Sequence, residues 1–284
     1  MHLTTAAARS VRDRAARPAA ERQAQGSSPT ALGAHVGPDS EGIESGGTAG
    51  ASSHGMNRGR VVLVAAVLAV CLAASGARGD AVPPGDREFG IARLKYGGGG
   101  DWYEDRTSLV NLLKALRERA SVPVAGDREA VVEPGSAALF QYPFLFACGH
   151  GNMKFTPAEV TNLRRYLTTG GFLWVDDDFG IAPSFRREMK RIFPDAELVE
   201  LPFSHPVFHG IYEFPRGLPK IHEHDGGPAK AFGIVHDGRL VVFFSYDTDL
   251  GDGLEDEEVH HDPQEKREAA LRMALDIVHY ALTN

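Results

Sequence analysis

Two short apolar runs constrain this chain more than any other feature. Phe144 to Cys148 reads FLFAC, bounded by Pro143 and Gly149. Phe172 to Val175 reads FLWV, preceded by Gly170-Gly171 and followed by three aspartates. Neither run alternates polar with apolar residues, so each reads as a strand buried on both faces, the signature of a parallel sheet covered by helices on either side. A well-punctuated helix lies between them. Thr156-Pro157-Ala158-Glu159 supplies a capping threonine, a proline at the first helical position and a glutamate three residues past the cap. Val160, Leu163 and Leu167 make its apolar stripe, and Gly170-Gly171 ends it.

The alternation of strand and helix continues on both sides. Phe89 to Tyr96 reads as a first strand, and Thr107 to Arg119 as a helix through Leu109, Leu112, Leu113 and Leu116. Ala130 to Val132 and Leu139 to Tyr142 read as weaker extended pieces. Phe185, Met189 and Ile192 mark a short helix ended by Pro194. Ala231 to Val235 and Arg239 to Ser245 flank His236-Asp237-Gly238, an Asp-Gly hairpin turn. Pro263 to Thr283 reads as a long amphipathic helix. The expected fold class is therefore α/β, a three-layer sandwich with a mostly parallel central sheet.

The first 80 residues stand apart. Residues 1–55 are rich in Ala, Gly, Ser and Arg without apolar periodicity, the composition of a disordered or mis-annotated extension. Residues 56–80 read as a signal peptide: Arg58 and Arg60, an apolar run from Val61 to Ala74, then small residues with cleavage near Ala77. Translation is expected to start at Met56, and the product to be exported to the periplasm or beyond. The apolar run is shorter than the roughly 20 residues of a membrane span, so no stable span is expected in the mature form. The single domain expected is 81–284, with 22 basic against 32 acidic residues, net charge −10. Such acidity argues against nucleic acid as a partner. Cys148 is the only cysteine in it, so no disulfide within the domain is expected.

In an open parallel sheet, ligands sit beyond the carboxyl ends of the strands. Three segments follow predicted strands there: Gly97 to Tyr103, Cys148-Gly149-His150-Gly151, and Asp176-Asp177-Asp178. Gly98, Gly99, Trp102, Tyr103, Gly149, Gly151 and Asp178 are the expected ligand contacts, because glycine lets a ligand approach the backbone and the aromatics offer stacking surfaces. The glycine run lacks the Lys-Ser/Thr of a phosphate loop, and Asp101, Glu104 and Asp105 would repel phosphate, so a neutral polar ligand such as a sugar fits better. Asp101, His150, Asp177 and His205 are the candidate catalytic groups. A divalent metal is a candidate cofactor, with Asp177, Asp178, His222 and His224 as ligands, since His-x-His shares one face of an extended segment. Pro219 and Gly226-Gly227-Pro228 place that pair in a loop. Asp247 to Asp256 is acidic but departs from the EF-hand spacing; it reads as a charged loop before the last helix, near the same sheet edge, where hard oxygen ligands could still gather. Cys148 reads as a small buried residue closing a core strand.

The motifs RLKYGGGGDWY with its following NLL helix, a strand ending in GHG, TPAEV with LRRYL and GGFLWVDD, and SHPVF resemble the bacterial domain-of-unknown-function family 4159 in order, over about Phe89 to Leu282. The resemblance implies a class I glutamine-amidotransferase-like, flavodoxin-like fold. A more distant likeness to ThuA-like proteins rests on Gly97 to Trp102, His205-Pro206 and Gly238-Arg239. The amidotransferase layout needs a nucleophile on the tight turn after a central strand. Here that turn reads Asp176-Asp177-Asp178-Phe179-Gly180, without Cys or Ser, and Val207 follows His205-Pro206 where glutamate belongs. Glutamine hydrolysis is thereby excluded. Two functions stay open: an exported, non-catalytic module binding a small polar ligand or a protein partner, and a metal- or carboxylate-dependent hydrolase acting on a carbohydrate-like substrate.

Overall fold

The computed structural model describes residues 83–85 and 88–284 apart from Asp225, so the expected extension and signal peptide lie outside the described residues. Seven strands form one sheet in the order β2-β1-β3-β4-β7-β6-β5. They are β1 (Ile91–Leu94), β2 (Ala130–Val132), β3 (Phe144–Ala147), β4 (Phe172–Asp176), β5 (Val199–Glu200), β6 (Lys230–His236) and β7 (Arg239–Tyr246). β1, β2, β3, β4 and β7 run parallel, and β6 pairs antiparallel with β7. The hairpin turn between them places Asp237 at φ 49° and Gly238 at φ 78°, the two positive values that match the twist of the flanking strands.

Helices cover both faces. On one face, α1 (Ser108–Arg119) and α6 (Gln264–Thr283) bury Leu109, Leu112, Met273 and Ile277 against Phe144, Phe146, Trp174 and Phe243. On the other, α2 (Pro157–Thr168) and α3 (Ala182–Ile192) bury Leu163, Leu167, Phe185 and Met189 against Leu145, Leu173, Val175 and Phe244. The continuous apolar runs are thus explained: alternate residues of β3 and β4 feed two cores. Trp174 lies at the centre of the first, its ring edge-on to Phe146 at 4.9 Å. The capping box at Thr156 and Glu159 forms as the sequence predicts, with Thr156 Oγ1 accepting from the Glu159 amide and the Glu159 carboxylate accepting from the Thr156 amide.

Two local expectations fail. Leu139 to Tyr142 is not extended: Ala137–Gln141 is a 3-10 turn, started by the Ser136 hydroxyl accepting from the Ala138 amide at 3.1 Å. The acidic run after β7 is not a loop. It folds into α4 (Leu250–Leu254) and α5 (Glu257–His260), with Gly251 and Gly253 packed too closely for any side chain.

The chain leaves β1 for β2 on one side and reaches β3 on the other, so strand order switches direction between β1 and β3. Such a switch point is where loops part to frame a crevice in open parallel sheets, but here the loops after the two strands are bridged to each other, Gly97 pairing with Lys154.

At the other end of the molecule, the buried Asp276 of α6 accepts from the amides of Ile211 at 2.7 Å and Tyr212 at 3.0 Å. Burial raises its pKa to about 6, against the pull of those two amides. A raised carboxyl pKa favours the neutral form in the fold, so this stabilisation is full below about 4 and is lost as pH rises through about 6. Asp276→Asn removes the ionisation. Denaturant unfolding should show the variant gaining on wild type by on the order of 2 kcal/mol between pH 4 and pH 8. A pH-independent difference would contradict the assignment.

Candidate functional site

Arg93 on β1 organises the carboxyl edge of the sheet. Its buried guanidinium donates to the carbonyl oxygens of Glu104 at 2.6 Å and Asp105 at 2.7 Å, and to the Cys148 sulfur at 3.0 Å. These bonds fold the chain after the glycine run back over the edge and turn the Asp105 side chain inward. Cys148 is fully buried, and burial followed by the nearby Asp105 and Asp178 carboxyls pushes its thiol pKa well up. Its surroundings are those of a buried core residue, and they favour the thiol over the thiolate.

The glycine run closes rather than opens the crevice. Gly97 pairs with Lys154, whose amide donates to the Gly97 carbonyl at 2.8 Å, and the Gly100 amide donates to Asn152 at 3.1 Å. A Cβ on Gly98, at φ 106°, would stand 2.6 Å from the Asn152 carbonyl oxygen. One on Gly149, at φ 120°, would stand 2.7 Å from Asp101 Oδ1. Gly99 and Gly151 face open space. The expected contacts Gly98 and Gly149 are thus filled by protein, and the glycines serve to zip the β1 and β3 loops together.

The candidate catalytic residues do not converge as one set. Asp101 and His150 do meet: Asp101 accepts from the His150 amide through Oδ1 and faces Nδ1 through Oδ2 at 3.1 Å. That arrangement fixes the ring and leaves Nε2 toward solvent. Asp177 is buried and accepts from the Ile181 amide at 3.1 Å, so it caps the start of α3 instead of facing a ligand. Burial raises its pKa to about 6. His205 lies at the opposite end of the sheet. Its ring packs 5.3 Å from Tyr280, which packs against Phe172, the first residue of β4. The acidic turn follows the last residue of β4, about 13 Å away along the strand. The aromatic pair divides: Trp102 is half-buried, with Lys95 Nζ 5.9 Å from its ring, while Tyr103 is exposed.

The four expected metal ligands do not form one set: Asp178 joins Asp105 and Cys148, His222 joins Asp252 and His260, and Asp177 and His224 fall in neither group. Asp178 is only 2 % exposed, and neither of its carboxylate oxygens has a hydrogen-bond partner. It lies within ligand distance of Asp105 and Cys148, and Asp105 within ligand distance of Asp252 and Glu255. Asp176, also fully buried, is satisfied: it accepts from Ser245 Oγ and, at 2.6 Å, from the Gly251 amide, while Trp174 Nε1 donates to the same serine at 2.8 Å. Burial, then mutual repulsion, raises the pKa of Asp105 and of Asp178 well above the carboxylate range. The His222 loop folds onto this cluster. His222 Nδ1 faces Asp249 at 3.1 Å and Asp252 at 3.0 Å, Nε2 faces Asp262 at 2.9 Å, and His224 pairs with Asp249. Contacts to Asp249 and Asp252 raise the His222 pKa to about 10. Burial pushes Asp252 up, but bonds from His222 and the charge of His260 outweigh it and bring its pKa below normal.

Arg93, Asp249, Asp252, Glu255, His260 and Asp262 escaped the sequence analysis as site residues. The usable signal was the acidic run Asp247 to Asp256, placed just after a central strand. Asp105, Asp247 and Asp249 all have φ near 55°, a conformation uncommon for residues with side chains and frequent at functional sites.

Residues 90–282 match the family described as domain of unknown function (DUF4159). The chain belongs to the DUF4159 family. No curated protein matches it. Among the described residues of this DUF4159 domain, no helix is long and apolar enough to cross a membrane.

The loop geometry carries a direct test. Gly149→Ala combines a positive φ with a contact against Asp101 and should lower stability by about 1–3 kcal/mol in urea unfolding. Gly151→Ala, at φ 81° in open space, should cost less. The reverse ranking would show that the two loops are not held together at Gly149.

Proposed function

We propose that this domain is a metal-dependent hydrolase whose divalent cation is held by Asp105 and Asp178, with Asp252 and Glu255 on the solvent side. The observation that carries the reading is Asp178: a carboxyl group 2 % exposed, with both oxygens unpartnered, beside Asp105, both pushed toward the neutral form by burial and then by neighbouring acids. Burying such a group costs several kcal/mol unless a charge compensates it. Oxygen donors of this kind suit magnesium, manganese or calcium. A bound cation would polarise a substrate oxygen or lower the pKa of a water. The Asp101–His150 pair, at the rim of the same sheet edge, presents a general base with a fixed ring. Phe179, half exposed and stacked on His224 at 4.9 Å, and Tyr103 offer flat apolar surfaces to a carbohydrate-like substrate.

This reading keeps the sheet in the flavodoxin-like, amidotransferase-like class, supported by the order β2-β1-β3-β4-β7 among the parallel strands. It includes export, supported by the succession of basic, apolar and small residues from Met56 to Ala77.

Elemental mass spectrometry of the purified chain should find a divalent metal in stoichiometric amount. Asp178→Asn should bind it at least tenfold more weakly, while the metal-free variant melts no lower than metal-free wild type. A folded chain that takes up neither magnesium, manganese, calcium nor zinc would sink the hydrolase and leave the non-catalytic binding module.

A further inference from the structure

Beside the buried carboxylates lies a second group of donors with a different chemistry. His222 Nδ1 is 3.0 Å from Asp252 Oδ2, and His260 Nε2 is 3.3 Å from Asp252 Oδ1. The two imidazole rings are 5.4 Å apart. Each histidine nitrogen thus meets a different oxygen of Asp252, and one donor atom from each of the three residues lies within 4.8 Å of the other two, so only small shifts separate them from the roughly 3.3–3.5 Å spacing of ligands about 2.0–2.2 Å from a tetrahedral ion.

We infer that His222, Asp252 and His260 form a second metal subsite, one that takes zinc or a similar borderline ion and shares Asp252 with the buried carboxylates. The inference deepens the metal-centre reading and depends on it only through that shared residue. Imidazole nitrogens favour such ions, whereas the all-oxygen centre behind them favours hard ones. Two further observations point to a ligand here. Asp262 Oδ2 accepts from His222 Nε2 at 2.9 Å, the outer carboxylate–histidine contact that fixes the ring with Nδ1 turned inward. Asp249, 1 % exposed, faces His222 Nδ1 through Oδ2 at 3.1 Å, and its Oδ1 has no partner.

The balance of charge is straightforward. In the structure His222 contacts carboxylates through both nitrogens, as an imidazolium does. A divalent ion takes the Nδ1 lone pair as that proton leaves to solvent, while the Nε2 proton stays on Asp262's side of the ring. Three protein ligands leave the fourth position of a tetrahedral ion to water, the arrangement of catalytic rather than structural zinc. His260 is exposed and Asp252 half-buried, so that water faces the solvent mouth of the cluster.

The test uses the full chain, stripped with a chelator and titrated with Zn²⁺ alone, then with Co²⁺ in parallel. Wild type should bind one equivalent of zinc more than His260→Ala. The visible band of tetrahedral Co²⁺ should appear in wild type and in Asp178→Asn and be missing from His260→Ala. Asp262→Asn should keep the stoichiometry and weaken the subsite about tenfold to a hundredfold. Unchanged zinc binding and an unchanged cobalt band in His260→Ala would overturn the subsite. Asp178→Asn losing no magnesium, manganese or calcium while His260→Ala loses its zinc would instead remove the buried carboxylate centre and leave this one standing.

Discussion

More carboxylates are buried at the carboxyl edge of this sheet than the protein has cations to balance them. Asp105, Asp176, Asp178, Asp247, Asp249 and Glu255 are all withdrawn from water; Lys220 reaches Asp247, His222 and His224 reach Asp249, His260 reaches Glu255, and Arg93 on β1 bonds the Asp105 carbonyl. A carboxylate removed from water must find hydrogen-bond donors, a positive charge or a proton. Asp176 finds donors in Ser245 and Gly251, and Asp247 finds Lys220 at 2.6 Å. Asp178 finds neither donors nor a cation, and burial followed by its neighbours' repulsion pushes it toward the third course, the protonated form. The remaining architecture of this edge follows from that imbalance.

The loops are shaped to hold the charges still. Arg93 spends its donors on the Glu104 and Asp105 carbonyls, and so fixes the backbone that carries one carboxylate instead of pairing with the carboxylate itself. The glycine run clamps the β1 loop against the β3 loop. Gly251 lets the turn after β7 lie directly on Asp105 and Asp176, where any side chain would collide with the Asp105 carboxylate. His222 and His260 then close the cluster on its solvent side. A rigid surround of this kind keeps like charges at ligand distance when repulsion would separate them, which is the condition for metal binding with little reorganisation.

The same geometry separates structure from chemistry among residues that look alike in sequence. Three consecutive aspartates have three fates. Asp176 anchors β4 to β7, Asp177 caps α3, and Asp178 turns into the cluster. Cys148 is a sealed core residue tied to Arg93. The turn after β4 thus supplies one wall of the buried acid cluster through Asp178.

The chain's alternating apolar runs, the Thr156 capping box and the Asp-Gly turn determined the α/β class, the helix after β3 and the β6–β7 hairpin, because each is encoded by neighbours within a few residues. The rule that sites form beyond parallel strands directed attention to the edge where the buried acids gather, and Asp178, His222 and His224 were legible as residues of that edge. The partners of those residues were not. Asp105, Asp252 and His260 lie in segments that adjoin only when β1, β4 and β7 take their places around β3, and nothing in the local pattern encodes that neighbourhood. His205 shows the converse: a motif-like His-Pro pair that the sheet carries to its far end. Periodicity is read along the chain, but burial of charge depends on the summed positions of distant strands, so only the tertiary structure decided which acids are left without a partner.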